Sequence, residues 1–319
     1  MKKEEFMEMA KQEILRQLPE DAKAGLSLNE VEVVKINDQK HHGFCFQKEG
    51  IIASPTLYLD HAHDLFRKGQ PLDRLMGEVA RAYLESADNR PEPSEPDLSF
   101  DKIRGNLCLR LVETKRNREY LLDKPYLDVG NGLALVCDIR FQKNENESWR
   151  TVVNNSNVEA NHYDRDELFS AAIRNAVKMD PPQMVSLQEV VMNDGSEKNL
   201  LSGPVPSERP AKTEFFEPVY LISSQSRQFG AAAFFYPGVK EQAADILGEG
   251  YTVLPSSLHE VLLVPDSSNL PVKDMLNMVK ETNRKVVEPK DVLSDNIYHF
   301  DDLRGKLSVI SPERGKEAR

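Results

Sequence analysis

The stretch that decides the fold class is Leu133-Ala134-Leu135-Val136-Cys137-Asp138-Ile139-Arg140-Phe141. Every second residue from Leu133 to Phe141 is apolar, and the residues between them become polar only at Asp138 and Arg140. Because successive side chains of a strand point to opposite faces of a sheet, we expect a strand with one face in a core and the far end of the other face in water. The polar residues 143–148 should turn the chain back into a second strand at 149–153.

Helices are predicted on both sides of this hairpin. Residues 71–84 carry the strongest helical pattern, since apolar side chains recur there at spacings of three and four. Further helices are expected at 3–18, from 164 to the prolines at 181 and 182, at 237–247, at 271–283, and early in the middle of the chain, where one helix should carry Ile103, Leu107, Cys108 and Leu111. Strands are expected at 31–36, 43–46, 56–59, 219–223, 231–235, 251–254, 258–264, 297–300 and 307–310. This mixed order, without a repeated βα unit, predicts an α+β fold with short, mainly antiparallel sheets.

Two polar stretches divide the chain into two or three units. Residues 91–97 contain three prolines and no apolar residue, which predicts an extended linker over 91–99. Residues 193–214 are rich in Gly, Ser, Pro, Lys and Glu, which predicts a second, flexible linker. The expected organisation is therefore an N-terminal α+β unit at 1–90, a middle unit at 100–192, a C-terminal unit at 215–311 and a charged tail at 312–319.

The charge of the chain argues against a nucleic-acid partner. The 319 residues carry a formal net charge of −11, and residues 1–90, 91–182 and 183–319 contribute −3, −3 and −5. Nucleic-acid affinity depends on Lys and Arg that neutralise phosphates, so we expect no nucleic acid and no large charged patch. The nearest approach to a basic cluster, Lys115-Arg116-Asn117-Arg118, is interpreted as the solvated face of a helix. An RNA-binding module stays a third hypothesis. If the protein causes no electrophoretic mobility shift of RNA at low salt, this hypothesis is refuted.

Membrane and secreted classes are disfavoured as well. The longest apolar runs span a few residues, whereas a bilayer requires about 20. The first eight residues contain acids where a signal peptide is apolar. The three cysteines, Cys45, Cys108 and Cys137, are far apart and set in apolar surroundings, which suits buried reduced thiols. We therefore expect a cytoplasmic protein without a membrane segment.

No metal or cofactor site is predicted. His61 and His63 follow a strand as the His-x-His pair of metallo-β-lactamases does, but the later histidines provide no recognisable ligand frame. The adjacent His41 and His42 alternate sides on a strand and cannot share one ion without a kink. Gly130-Asn131-Gly132 precedes a strand rather than a helix, so it is interpreted as a turn and not as a phosphate-binding loop.

Pro255-Ser256-Ser257-Leu258-His259-Glu260 is the segment most suggestive of catalysis, because it gathers two hydroxyls, an imidazole and a carboxylate. If residues 258–264 form a strand, His259 and Glu260 point to opposite faces, and Ser257 lies about 7 Å from His259 along the chain. Only a sharp turn at the two serines would bring a hydroxyl to the imidazole. The alternative is a polar hairpin corner whose hydroxyls bind turn amides, with His259 hydrogen-bonded near the core.

With these segments laid out, the chain resembles a bacterial family, domain of unknown function 5688. The matching stretches are 1–6, 55–60, 117–125, 251–265 and 289–298, and the last two are the most specific in order and spacing. His61 and His63 depart from the family's pattern, and the 193–214 insert is longer and more polar than usual in it. The resemblance implies a stand-alone cytoplasmic protein of two or three α+β units, and it implies no activity.

Two functional hypotheses follow. The leading one is a non-catalytic cytoplasmic accessory or protein-interaction protein of bacteria, whose partner is another protein. It rests on the failure of each candidate motif to meet the geometry that its chemistry requires. The competing hypothesis is a hydrolase-type enzyme centred on Ser257, His259 and Glu260, with Asp295 approaching from a later segment.

Overall fold

The computed structural model describes residues 2–49, 54–88, 97–142, 148–192, 197–203 and 218–310. The chain forms two compact units, residues 1–97 and residues 98–319. The first unit ends at Asp97, inside the expected 91–99 linker. Most of that linker, most of the expected 193–214 linker and the whole 312–319 tail lie outside the described residues.

The first unit combines helices with a three-stranded antiparallel sheet in the order β1-β2-β3. In chain order its elements are α1 (Lys3–Gln17), α2 (Glu20–Lys23), β1 (Leu26–Lys35), β2 (Gln39–Lys48), β3 (Thr56–Tyr58), α3 (Asp60–Arg67) and α4 (Leu72–Asp88). The short 3-10 turn Ile36–Asp38 joins β1 to β2 and places Asn37 and Asp38 at positive φ, a conformation that these two residue types tolerate better than most.

The core of this unit lies where α1 and α4 meet the sheet. Residues at helical spacing on both helices pack with alternate residues of β1 and β2 in one apolar cluster, which includes Phe6, Ala10, Ile14, Leu28, Phe44, Phe46, Met76 and Tyr83. The rings of Phe46 and Tyr83 stack with centroids 4.6 Å apart. The period-3.6 pattern of residues 71–84 therefore marks a core-facing helix, as predicted.

The second unit contains two antiparallel sheets with helices packed on them. Its elements are α5 (Phe100–Ile103), β4 (Leu107–Glu113), β5 (Tyr126–Gly130), β6 (Leu133–Gln142), β7 (Ser148–Val152), α6 (Asn155–Ala160), α7 (Arg165–Met179), β8 (Pro182–Ser186), α8 (Leu187–Met192), β9 (Tyr220–Ser224), α9 (Val239–Leu247), β10 (Tyr251–Leu254), β11 (Val261–Pro265), α10 (Val272–Lys285), β12 (Ile297–Asp301) and β13 (Lys306–Ile310). Single 3-10 turns lie at Arg104–Asn106, Tyr120–Asp123 and Leu200–Ser202, and a longer one at Gly230–Phe235.

The two sheets of this unit differ in size and are linked by a 3-10 helix. The smaller one has β6 at its centre, with β4 on one side and β5 and β7 paired to it as well. The larger one has the order β13-β12-β10-β11-β9-β8. Helix α7 contacts β4 and β6, and the 3-10 helix Gly230–Phe235 contacts both β4 and β9, so it links the two sheets. The protein is thus α+β with mainly antiparallel sheets, as the sequence predicts.

The larger sheet crosses the second expected linker. Strand β8, in the expected middle unit, pairs with β9, in the expected C-terminal unit, over the register Pro182↔Ser224 to Ser186↔Tyr220. Described residues before and after 193–214 therefore belong to one sheet. The expected division at this point does not coincide with a boundary between the compact units, because an antiparallel pair joins the two sides.

Two predicted elements are wrong. The helix expected to carry Leu107, Cys108 and Leu111 is strand β4, whose alternate residues Leu107, Leu109 and Leu111 are buried and which pairs with β6 along its whole length. The spacings from Ile103 to Leu107 and from Cys108 to Leu111 fit a helix, whereas the alternation of Leu107, Leu109 and Leu111 fits a strand, and the available partner strand decides between them.

The strand expected at 231–235 is the 3-10 helix Gly230–Phe235. It begins after Phe229, which has a φ of 56°. A Cβ on Gly230 would lie 2.1 Å from Ser223 Oγ and 2.7 Å from the His259 carbonyl oxygen. The chain thus passes close to β9 at this point, an approach that only glycine allows. Because β9 is already paired with β8 and β11, the segment turns instead of pairing.

The basic cluster at 115–118 is also not a helix face. It forms the turn after β4, where Asn117 is fully buried and donates a hydrogen bond to the Glu113 carbonyl. No helix among the described residues combines the length and the apolar character needed to cross a bilayer.

Candidate functional site

The Pro255–Glu260 segment forms a sharp corner between β10 and β11. The strand expected to start at Leu258 starts at Val261. The corner is closed by backbone hydrogen bonds from the Ser257 amide to the Glu260 carbonyl (3.3 Å) and from the Leu258 amide to the Asp291 carbonyl (2.8 Å). Leu258 is buried, which anchors the corner to the core. The turn at the serines that a catalytic dyad would require is therefore present.

The hydroxyl of Ser257 is nevertheless hydrogen-bonded to groups other than the imidazole. Its Oγ accepts a hydrogen bond from the His259 backbone amide at 2.9 Å and donates one to Glu260 Oε1 at 2.8 Å. Ser257 is only 6% exposed. A hydrogen bond from Ser257 Oγ to a ring nitrogen of His259, which a nucleophile and its base require, does not occur among the described residues.

The His259 ring faces a different set of groups. Its Nδ1 accepts a hydrogen bond from the Phe229 amide at 3.1 Å, which places the ring proton of the neutral form on Nε2. Nε2 lies 3.6 Å from Asp291 Oδ1, and the ring stacks on that of Phe229 with centroids 5.3 Å apart. The side chain is 35% exposed, so the ring reaches the surface. Glu260 does not orient the imidazole; Asp291 is the carboxylate that lies beside it.

Asp295 belongs to a separate polar network. Its carboxylate accepts hydrogen bonds from Arg116 Nη2 (2.5 Å) and Asn283 Nδ2 (2.9 Å). In the same network Glu113 Oε1 accepts from Ser294 Oγ at 2.7 Å and from Asn296 Nδ2 at 2.9 Å. Burial and the Asn283 hydrogen bond act in opposite directions on Asp295, and with the neighbouring Arg116 the net effect lowers the pKa of that carboxyl.

This network links the turn after β4 to the segment before β12. Glu113, Asn117 and Ser294 are buried, and the hydrogen bonds between them satisfy groups that would be costly to bury unpaired. The hydrogen bonds of the Asp295 side chain among the described residues thus join it to Arg116 and Asn283, and none of them joins it to the 255–260 corner.

A basic face on the smaller sheet was missed by the sequence analysis. Arg110 donates from Nη2 to Asp138 Oδ2 at 2.5 Å, and its Cζ lies 3.9 Å from the centroid of the Phe229 ring. Arg150 Cζ lies 5.4 Å from the same centroid. Alternation in β6 predicts that Asp138 and Arg140 share a face. Because residues 107–111 were predicted as a helix, the sequence did not indicate that Arg110 lies on this face as well. The proximity of Phe229 depends on the loop before residue 230, which no local pattern indicates.

Asp138 is fully buried, contrary to the expectation that this end of β6 is wet. The Phe229 loop and the 3-10 helix after it contribute to the cover over this face. Burial raises the pKa of the Asp138 carboxyl, and the charge and hydrogen bond of Arg110 oppose the rise. Asp138 Oδ1 and Arg110 Nε are buried without a hydrogen-bond partner among the described residues.

Phe229 connects the corner to this basic face. Its φ of 56° is costly for a residue with a large side chain, and such strain persists only where the surroundings impose it. Here the amide binds His259 and the ring contacts the guanidinium of Arg110. The candidate site of the second unit therefore consists of the Pro255–Glu260 corner, Phe229, Asp291, and the two arginines at the Phe229 ring, Arg110 and Arg150.

The first unit has an open groove between α3 and α4, next to β3. It has a volume of about 250 Å³, and its walls are mostly apolar side chains; they are Leu57, Tyr58, His61, Ala62, Leu65, Leu75, Glu78, Val79 and Ala82. Such a groove suits an apolar side chain of a partner better than a polar ligand.

Three further histidines, His41, His42 and His63, take part in local contacts. His41 Nδ1 lies 3.4 Å from Asp60 Oδ2, and His42 Nε2 lies 3.5 Å from Glu32 Oε2, on opposite faces of β2. His63 packs against Phe6 in the core, with ring centroids 4.7 Å apart. Across the described ranges no three potential ligands among His, Cys, Asp and Glu come together as a metal site. Gly130-Asn131-Gly132 forms the predicted turn, with all three residues at positive φ between β5 and β6.

Comparison with known proteins identifies a family but no activity. A family model described as "Family of unknown function (DUF5688)" matches residues 3–302 of the chain. Neither the curated proteins nor the solved structures contain a match.

Proposed function

The chain belongs to the family of unknown function DUF5688, whose description prescribes no chemistry, and on its own geometry we propose that it is a non-catalytic accessory protein of the bacterial cytoplasm that acts by binding another protein. Its free cysteines, of which Cys137 is buried, suit a reducing compartment.

One observation carries the proposal. The hydroxyl of Ser257 is engaged by Glu260 and by the amide of His259, and the acceptor nitrogen of the His259 ring is engaged by the amide of Phe229. A general base needs a free acceptor within reach of the proton that it removes. With both groups occupied, the corner serves as a structural element that holds β10, β11 and the Phe229 loop together.

The groove of the first unit supports a role in binding. Exposed apolar surface that is concave and rimmed by polar groups is typical of contact sites for other proteins. The groove has this character, since Leu57, Leu65 and Val79 form its walls while His61 and Glu78 provide polar groups. We propose that an apolar side chain of the partner protein occupies it.

Affinity purification with a matched pair of variants tests the proposal. Ala82→Glu adds bulk and charge at an exposed position of the groove, whereas Ala24→Glu makes the same change at an exposed position outside the groove lining. The tagged wild type should retain a specific protein from the native cell extract. Ala82→Glu should reduce its recovery at least about tenfold, the equivalent of about 1.4 kcal/mol, and Ala24→Glu should not. A wild-type chain that purifies alone as a monomer would contradict the proposed function.

The competing hydrolase hypothesis has one favourable observation. The His259 ring is partly exposed, and Asp291 lies 3.6 Å from its Nε2, so a substrate that displaced the Phe229 amide would meet an oriented imidazole. Ester and peptide substrates should reveal turnover that Ser257→Ala abolishes if this hypothesis holds. No turnover by wild type above that of the variant favours the binding role.

A further inference from the structure

Three arginines lie on one face of the smaller sheet. Arg140 of β6 and Arg150 of β7 are directly opposite each other in the strand register. Arg110 of β4 is opposite Val136, which shares a face with Arg140 because the two are four residues apart on the same strand. The alternation of three strands therefore brings together cations that are far apart in sequence.

The surroundings show that these side chains lie close to one another. The guanidiniums of Arg110 and Arg150 both contact the ring of Phe229. Burial raises the pKa of the Cys108 thiol to about 11, and Arg150, Arg140 and Arg110 all lie near enough to oppose that rise. Like charges directly opposite each other on a sheet are destabilising, so this arrangement requires a counter-charge.

The nearby carboxylates do not supply enough negative charge to balance the three arginines. Asp138 forms its hydrogen bond with Arg110, and both oxygens of Asp180 accept hydrogen bonds from Ser226. Asp138 also lies near enough to Arg150 for the two charges to interact, but within the described part of the chain the ion pair of Asp138 is with Arg110, and neither Arg140 nor Arg150 forms one with a carboxylate. Both side chains are only partly buried, so a solute can reach them.

We propose that Arg140 and Arg150 bind a phosphate-type oxyanion beside Phe229, either inorganic phosphate or the phosphate group of a small organic molecule. Guanidinium groups present forked donors that match such an anion. A tetrahedral phosphate offers separate oxygens to two guanidiniums that approach from neighbouring strands, whereas a carboxylate has only two oxygens in one plane. Arg110, neutralised by Asp138, positions the Phe229 ring at the edge of the site. This site lies in the second unit and the apolar groove in the first, so the proposal stands or falls independently of the proposed function.

Titration calorimetry and thermal unfolding with inorganic phosphate test the proposal, with sodium chloride at equal ionic strength as the reference. Wild type should bind phosphate saturably, and its melting temperature should rise with phosphate concentration because the ligand binds the folded state. Arg140→Gln and Arg150→Gln should each weaken phosphate binding at least about tenfold through the loss of charge-assisted hydrogen bonds. Arg174→Gln, at an exposed position of α7, is the matched control and should bind as wild type does.

A second readout separates the site from a purely structural role. In phosphate-free buffer the two glutamine variants should melt at the same temperature as wild type or higher, because each removes a repulsion. If both are markedly less stable, these arginines are structural and the proposal is wrong. An equal phosphate effect on wild type and all three variants would show a general salt effect on stability and would also overturn it. Acetate should bind more weakly than phosphate, and equal or tighter binding of acetate would refute the assignment of the anion class.

Discussion

Ser257→Ala separates the structural and catalytic interpretations of the corner between β10 and β11. The substitution removes an acceptor from the His259 amide and a donor from the Glu260 carboxylate, at hydrogen bonds of 2.9 and 2.8 Å. A hydrogen bond to a charged group is worth roughly 1.5–3 kcal/mol and a neutral one about 1 kcal/mol. Glu260 is partly exposed and can recover a bond to water, so we expect the free energy of unfolding to fall by about 2 kcal/mol.

Urea denaturation measures this change. The midpoint should fall at an unchanged dependence on denaturant, since the substitution alters stability without altering the surface that unfolding exposes. For a unit of this size the same loss corresponds to roughly 4–8 °C in melting temperature. Ser256→Ala is the neighbouring control: the Ser256 side chain forms no hydrogen bond with the described residues, and its removal should change stability by less than about 0.5 kcal/mol.

The catalytic interpretation predicts the reverse. A nucleophile held ready for substrate is commonly suboptimal for stability, so its removal would leave the free energy of unfolding unchanged or higher while hydrolysis disappears. A loss of stability below about 0.5 kcal/mol, accompanied by loss of a measurable hydrolytic activity, would refute the structural role that we assign to Ser257.

Three further changes probe other parts of the protein. Glu113→Gln should lower the free energy of unfolding by about 2 kcal/mol in urea titrations, because it keeps the oxygen that accepts from Ser294 but replaces the oxygen 3.3 Å from Arg116 Nε by an amide group that cannot pair with a cation; a loss under about 0.5 kcal/mol would contradict this. Gly43→Ala would place a Cβ 2.0 Å from a carbonyl oxygen of β3, so it should lower the melting temperature and expose amides of β2 and β3 to hydrogen exchange. The Asp266 hydrogen bond raises the pKa of His299, so the stability lost in His299→Asn should be largest below about pH 6.5 and should shrink as pH rises through the raised value. A difference that grows towards pH 8 would reverse the sign of this linkage.

Much of the fold follows from local pattern. The period of residues 71–84 predicts α4, the alternation of 133–141 predicts β6, and the prolines after α7 predict its end. These elements are readable because one face of each is buried, which imposes a single period on the sequence. The family resemblance, carried by short stretches spread over the chain, is confirmed by the match over residues 3–302.

The errors arise where long-range contacts outweigh local preference. β4 has a pattern that fits helix or strand, and only pairing with β6 decides between them. The 3-10 helix at 230–235 has only two residues that suit a strand, Phe234 and Phe235, and β9 is already paired with β8 and β11 where Gly230 packs closely against it. Neither contact can be inferred from the residues next to it.

The candidate site shows the same limit. The sequence indicates the turn at Ser257 as the one condition for a dyad, yet it cannot show that the hydroxyl is held by Glu260 or that Asp291 lies beside the His259 ring. Side-chain partners at a corner depend on which loops pack against it. Here the decisive loop is the one that carries Phe229.

By itself, the sequence determined the class of the protein: acidic, α+β, with no stretch long and apolar enough to span a bilayer, and with a net charge of −11 divided evenly along the chain. Only the tertiary structure decided where cations meet. Charge counted along a chain averages over neighbours in sequence, whereas β-strand pairing brings Arg110, Arg140 and Arg150 to one face from positions up to 40 residues apart. An acidic protein can therefore contain a basic site, because electrostatic interaction depends on distance in space and pairing sets that distance.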